Sequence, residues 1–178
     1  LKVMGLEIVR SSTPAPVRIS LKEAVRLTLT TDENTLQQFI EKTQKEFKSM
    51  SPEDIAFPRG CNNIGKYTCD TNIYAKGCPI HVRGSLLYNH YLDENNISHK
   101  YEKIQEGDKV KFLYLKEPNT MRENCISFNS KIPTEFNIHR YVDYDLMFQK
   151  AFLDPMDTII KSLGWETEET HTLEDLFS

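Results

Sequence analysis

Two stretches of this chain combine residue types able to hold a phosphodiester backbone. Arg59-Gly-Cys-Asn-Asn-Ile-Gly-Lys-Tyr67 puts a cation near each end of a run rich in glycine and asparagine. Gly77-Cys-Pro-Ile-His-Val-Arg-Gly84 is a second, similar mixture. Glycine lets a backbone approach a phosphate closely. The amides of Asn62 and Asn63 can bond to phosphate oxygens or groove edges. Lys66 and Arg83 supply charge, and Tyr67 can lie along a sugar. Such a set suits gripping of the backbone without reading of the bases. A structural loop with incidental charges accounts for the same residues, and at this point both readings stand.

Charge patterning supports the first reading only locally. The 178 residues carry a net charge of −4. Residues 1–122 hold 18 Lys and Arg against 15 Asp and Glu, and residues 123–178 hold 4 against 11. Between positions 59 and 83, Arg59, Lys66, Lys76 and Arg83 face only Asp70. A basic strip can bind phosphates while the whole chain stays acidic. Ordinary solvated lysines would give the same count.

Other chemistries find less support. Cys61, Cys69, Cys78 and His81 lie close in sequence, but the gaps are not the tight pairs of a structural zinc site, and separate thiols are expected. Asp143 and Asp145 are the nearest approach to paired metal-binding carboxylates. They stand where a helix starts, a position that favours capping. No phosphate loop, dinucleotide fingerprint or nucleophile elbow is present. No metal or cofactor site and no catalytic residue is expected in this piece.

The elements that would position these residues are mostly helical. Thr13 and Pro14 suit a helix start, and Val17, Leu21, Ala24, Val25 and Leu29 recur at helical spacing. A second helix begins near Thr31 or Asp32, with Leu36, Phe39, Ile40 and Phe47 as its apolar stripe and Glu41/Lys45 as an i,i+4 pair. The two form an antiparallel hairpin. Residues 52–80 read as loop, with room for a short helix around 62–67. Another helix covers 80–92, closed by Asp93-Glu94-Asn95-Asn96. Lys109–Lys116 reads as a strand, with Asn124–Phe128 able to pair with it. A last helix spans 143–163 with a kink or break at Pro155. The fold class is therefore α+β: mostly α-helical, with a small antiparallel β element.

At 39% hydrophobic residues a core is available, and no run of apolar residues spans a membrane. The start, Leu-Lys-Val-Met-Gly-Leu, reads as a cut through a longer chain and not as a secretory signal. The four cysteines are expected as reduced thiols. The final Leu173, Leu176 and Phe177 sit on a short acidic segment, where apolar side chains suit a partner's pocket.

Several motifs in order carry a family likeness. Lys-Val-Met-Gly-Leu-Glu, Ser-Ser-Thr-Pro, Asn-Asn-Ile-Gly-Lys-Tyr and Cys-Pro-Ile-His-Val-Arg-Gly resemble the C-terminal end of T-even-phage-type family B DNA polymerases. Tyr-Val-Asp-Tyr-Asp-Leu-Met-Phe-Gln-Lys-Ala-Phe and the closing Leu-Glu-Asp-Leu-Phe do so too. The resemblance implies the end of the palm over 1–13 and a thumb domain over 14–163. The thumb would carry duplex-gripping loops at 59–84, a β element at 108–128 and a long C-terminal helix at 143–163. A clamp-binding tail follows over 164–178. It implies DNA contacts at Asn62, Asn63, Lys66, Tyr67, Lys76, His81 and Arg83, and sliding-clamp contacts at Leu173, Leu176 and Phe177. Lys76 stands one residue before Gly77, where the family pattern has its lysine. The implied partners are primer–template duplex DNA, the sliding clamp and the upstream palm, fingers and exonuclease, with Mg2+ held in that palm. The implied setting is the cytoplasm of an infected bacterial host. An autonomous DNA- or clamp-binding accessory protein, or the small subunit of a split polymerase, is the alternative.

Overall fold

The computed structural model describes residues 10–168. Its helices are α1 (Ala15–Thr30), α2 (Glu33–Lys48), α3 (Pro52–Ile55), α4 (Ile64–Tyr67), α5 (Ile80–Glu94), α6 (Tyr144–Phe148) and α7 (Asp154–Ile160). Its strands are β1 (Phe57–Gly60), β2 (Lys109–Tyr114) and β3 (Cys125–Phe128), antiparallel in the order β1-β2-β3. The architecture is α+β and mostly helical, with one small antiparallel sheet. The described residues divide into two compact units, one of residues 10–50 with 148–168 and one of residues 51–147.

The first unit is built on the α1–α2 hairpin. The Asp32 side chain accepts the Thr35 amide at 2.8 Å and caps α2. Leu21 and Ala24 of α1 and Leu36, Ile40 and Phe47 of α2 are buried. Phe148 and Phe152 stack 5.0 Å apart, and Phe47 tilts onto Phe148 at 5.2 Å. The apolar periodicity of α1 differs from expectation at one place. Leu29 is 62% exposed, whereas Leu27 and Thr28 are buried. The α1 boundary also falls one residue later than predicted, with Pro14 in the cap position.

The expected 143–163 helix is four successive segments. Gln149–Leu153 forms one wide π-helical turn between α6 and α7, and a 3-10 turn covers Lys161–Leu163. Pro155 lies within the first turn of α7, where its missing N–H disturbs least. Beyond Gly164 (φ +71), the segment stays fastened to α2. Gln37 Nε2 donates to the carbonyls of Glu166 and Glu168, and the Glu166 amide donates to Glu33.

The second unit packs α5 across β3. Gly84 sits at the crossing: a Cβ there would meet Ser127 Oγ at 2.5 Å and Ser127 N at 2.6 Å. The helix backbone thus approaches the strand as closely as only glycine allows. Ser85 Oγ and Ser127 Oγ both donate to the carbonyl of His81, satisfying buried hydroxyls at the same interface. Val82, Leu87, Tyr88 and Leu92 fill the core beneath α5, whereas Ile80, Leu86 and Tyr91 are only half-buried. β1 lies inside the stretch expected to be loop. It runs through Pro58, and it pairs Phe57 with Phe112 in register, their rings stacked at 5.2 Å.

Candidate nucleic-acid interface

β1 delivers the chain into the first of the two gripping stretches. The Arg59 guanidinium lies over both Phe57 and Phe112, at 5.5 and 5.3 Å, and donates to the Pro58 carbonyl. It is drawn onto the sheet by cation–π contact. The buried Cys61 exchanges backbone bonds with the 105–108 turn, donating to the Asp108 carbonyl and accepting from the Gly107 amide, both at 2.8 Å. From this anchor Asn62 and Asn63 emerge exposed. Asn63 takes the left-handed conformation (φ 64), which asparagine tolerates better than most residues. Its backbone N–H and that of Ile64 both donate to the Glu106 carboxylate, at 2.7 and 2.9 Å.

The turn that follows, α4, puts Lys66 on the surface beside Tyr67, with Nζ 5.4 Å from the ring centroid. Gly65 has open space around it. The loop then returns on itself through the Ala75 amide, which donates to the Tyr67 carbonyl at 2.8 Å. Lys76 is exposed. Gly77 has φ +79, a left-handed backbone in which a lysine would be strained.

His81 and Arg83 stand in the first turns of α5 and are half-buried. Burial, and after it the Arg59 charge, pushes the His81 pKa below its ordinary value, against an opposing bond to the Gly60 backbone. Arg83 is turned into a polar network. Its Nη2 donates to Asn124 Oδ1 at 2.7 Å, and its guanidinium lies 5.7 Å from the Tyr74 ring. Tyr74 in turn donates to the Glu123 carboxylate at 3.0 Å. Arg83 Nε is buried with no hydrogen-bond partner among the described residues. Of the predicted site residues, Asn62, Asn63, Lys66 and Tyr67 therefore share one loop, Lys76 is exposed after it, and His81 and Arg83 are tied inward. Leu173, Leu176 and Phe177 lie outside the described residues.

Sequence reasoning missed Glu106, Tyr74, Glu123 and Asn124 as partners of this surface. Glu123 and Asn124 reach Tyr74 and Arg83 only through the pairing of distant segments. Glu106 precedes a recognisable Gly107-Asp108 turn, but nothing local marks which amides it meets.

The alternative chemistries fare as follows. Burial raises the thiol pKa of Cys61 and Cys78, whereas bonding to Thr71 lowers that of Cys69, so the three thiols sit in unlike surroundings. Asp143 Oδ1 accepts the Leu146 amide at 3.0 Å, capping α6. Among the described residues no group of three or more His, Cys, Asp or Glu side chains is arranged to hold a metal ion. No described helix is long and apolar enough to cross a membrane.

Comparison with known proteins bears on the whole of this surface. No family model matches. The chain is 32% identical over 181 residues to the DNA-directed DNA polymerase of Enterobacteria phage T4. It is 33% identical over 183 residues to that of Escherichia phage RB69. The chain is homologous to a segment of T4-type phage DNA polymerases. Both matches cover 99% of this chain and 20% of the relative, so it spans about one fifth of the length of these polymerases. The resemblance read from the ordered motifs is the one that these matches support.

Proposed function

We propose that this chain is the thumb of a family B DNA-directed DNA polymerase and binds the backbone of primer–template duplex without base reading. The observation that carries the reading is similarity along 99% of the chain to phage DNA-directed DNA polymerases. The exposed loop bearing Asn62, Asn63, Lys66 and Tyr67 supports it with suitable chemistry: one exposed cation, an aromatic face and two amides beside open glycine backbone. Lys76 extends the cationic edge, and His81 and Arg83 support it from α5.

In this reading nucleotidyl transfer, and the Mg2+ it requires, belong to the upstream palm, with fingers and exonuclease as further upstream parts. The C-terminal peptide with Leu173, Leu176 and Phe177 docks on the sliding clamp and gives processivity. The setting is the bacterial cytoplasm during infection. The test is a salt titration of binding to primer–template duplex beside single-stranded DNA of equal length. A preference for duplex, with affinity falling steeply as salt rises, is expected. Equal binding of both DNAs would remove the duplex-gripping role.

A further inference from the structure

Glu106 is exposed, on a face whose proposed ligand is an anion. Its carboxylate is nonetheless bonded to two backbone amides, Asn63 at 2.7 Å and Ile64 at 2.9 Å, 43 and 42 residues away in sequence. The turn that carries it is fixed from several sides. Ile104 exchanges two 2.8 Å bonds with the side chain of Asn89 on α5. The Gln105 amide donates to Asp108 Oδ2, and Gly107, at φ +83, donates to the Cys61 carbonyl. The carboxylate is thus presented from an anchored turn to a loop whose other bonds, the Lys66 amide to the Asn63 carbonyl, Thr68 Oγ1 to the Ile64 carbonyl and the Ala75 amide to the Tyr67 carbonyl, leave the Asn63 and Ile64 amides to Glu106. The two amides it holds are those at which the chain enters its left-handed residue and begins α4. Fixing them fixes the direction in which Lys66 and Tyr67 leave the surface.

We propose that Glu106 is a positioning residue for duplex binding, clasping the Asn63 and Ile64 amides so that Lys66 and Tyr67 face the DNA backbone in a preformed arrangement. The inference rests on the duplex-gripping reading above. A fixed loop loses less conformational entropy on binding, and that gain opposes the repulsion between Glu106 and phosphate. The two effects have opposite signs, which makes the clasp testable. Were Glu106 only a surface charge, neutralising it would tighten binding.

The experiment uses the full 178-residue chain. Glu106→Gln and Lys66→Ala are compared with the unaltered protein for binding to one primer–template duplex, and hydrogen exchange is followed at the Asn63 and Ile64 amides. Glu106→Gln is expected to speed exchange at both amides, leave Tm unchanged and weaken binding roughly three- to tenfold, despite removing a negative charge. Tighter or unchanged binding would overturn the inference, as would unprotected Asn63 and Ile64 amides in the unaltered protein. Lys66→Ala separates the two failures. If it weakens binding and Glu106→Gln does not, only the clasp fails. If it has no effect, the gripping role of the loop fails and the clasp with it.

Discussion

Lys66 is exposed beside Tyr67 and near open glycine backbone, the arrangement expected of a residue that meets phosphate. Lys66→Ala should weaken duplex binding about equally for all sequences and lower the salt slope by about 1, with Tm unchanged. Arg83 belongs to a different kind of site. Removing it leaves Asn124 Oδ1 without its donor and the Tyr74 ring without its cation, so Arg83→Ala should lower Tm as well as affinity, a combination that thermal melting beside a binding assay would detect. His81 offers a pH signature. Its folded-state pKa is lowered, chiefly by burial. The neutral ring is favoured on folding, so its contribution to stability is full above the ordinary histidine pKa of about 6.5. That contribution declines as pH falls from there towards the folded value. His81→Gln should flatten this part of the Tm-versus-pH profile, and an unaltered profile would remove His81 as its source. From sequence, the residue types at 62–67 were legible because their chemistry is local. The commitment of Arg83 to Asn124 was not, because it depends on how residues 41 positions apart are brought together.

At the scale of elements, Gly84 sets the distance between α5 and β3. A methyl group there cannot avoid the Ser127 backbone at 2.6 Å. Gly84→Ala should therefore destabilise the second unit by about 1–3 kcal/mol, read from denaturant unfolding. An unchanged midpoint would show that the crossing can relax. The same glycine illustrates what periodicity leaves out. In the sequence it reads as backbone prepared for a phosphate, whereas in the fold it is backbone prepared for a strand. The long helices were legible from their apolar spacing and from caps such as Asp32. β1 was hidden because its four residues include a proline and a glycine, and its pairing partner lies some fifty residues away. The break in the last helix was legible from Pro155, but its form was not. A wide turn before the proline accommodates the missing hydrogen bond without ending the helical run.

For the whole molecule, the proposed division of labour puts duplex grip in the 59–84 region and clamp docking in the last residues. Deleting residues 173–178 should abolish clamp binding in a pull-down or interferometry assay and leave duplex affinity unchanged. Loss of duplex affinity on that deletion would argue against two separate functions. The likeness to the T4 and RB69 polymerases covers one fifth of each, and in the proposed reading the grip is one contribution within a larger polymerase. The most direct measurement is the affinity of this chain for primer–template duplex and for single-stranded DNA across a range of salt concentrations. A thumb is expected to prefer duplex, with a log–log salt slope of several released counterions. Indifference between the two DNAs, or a slope near zero, would contradict it.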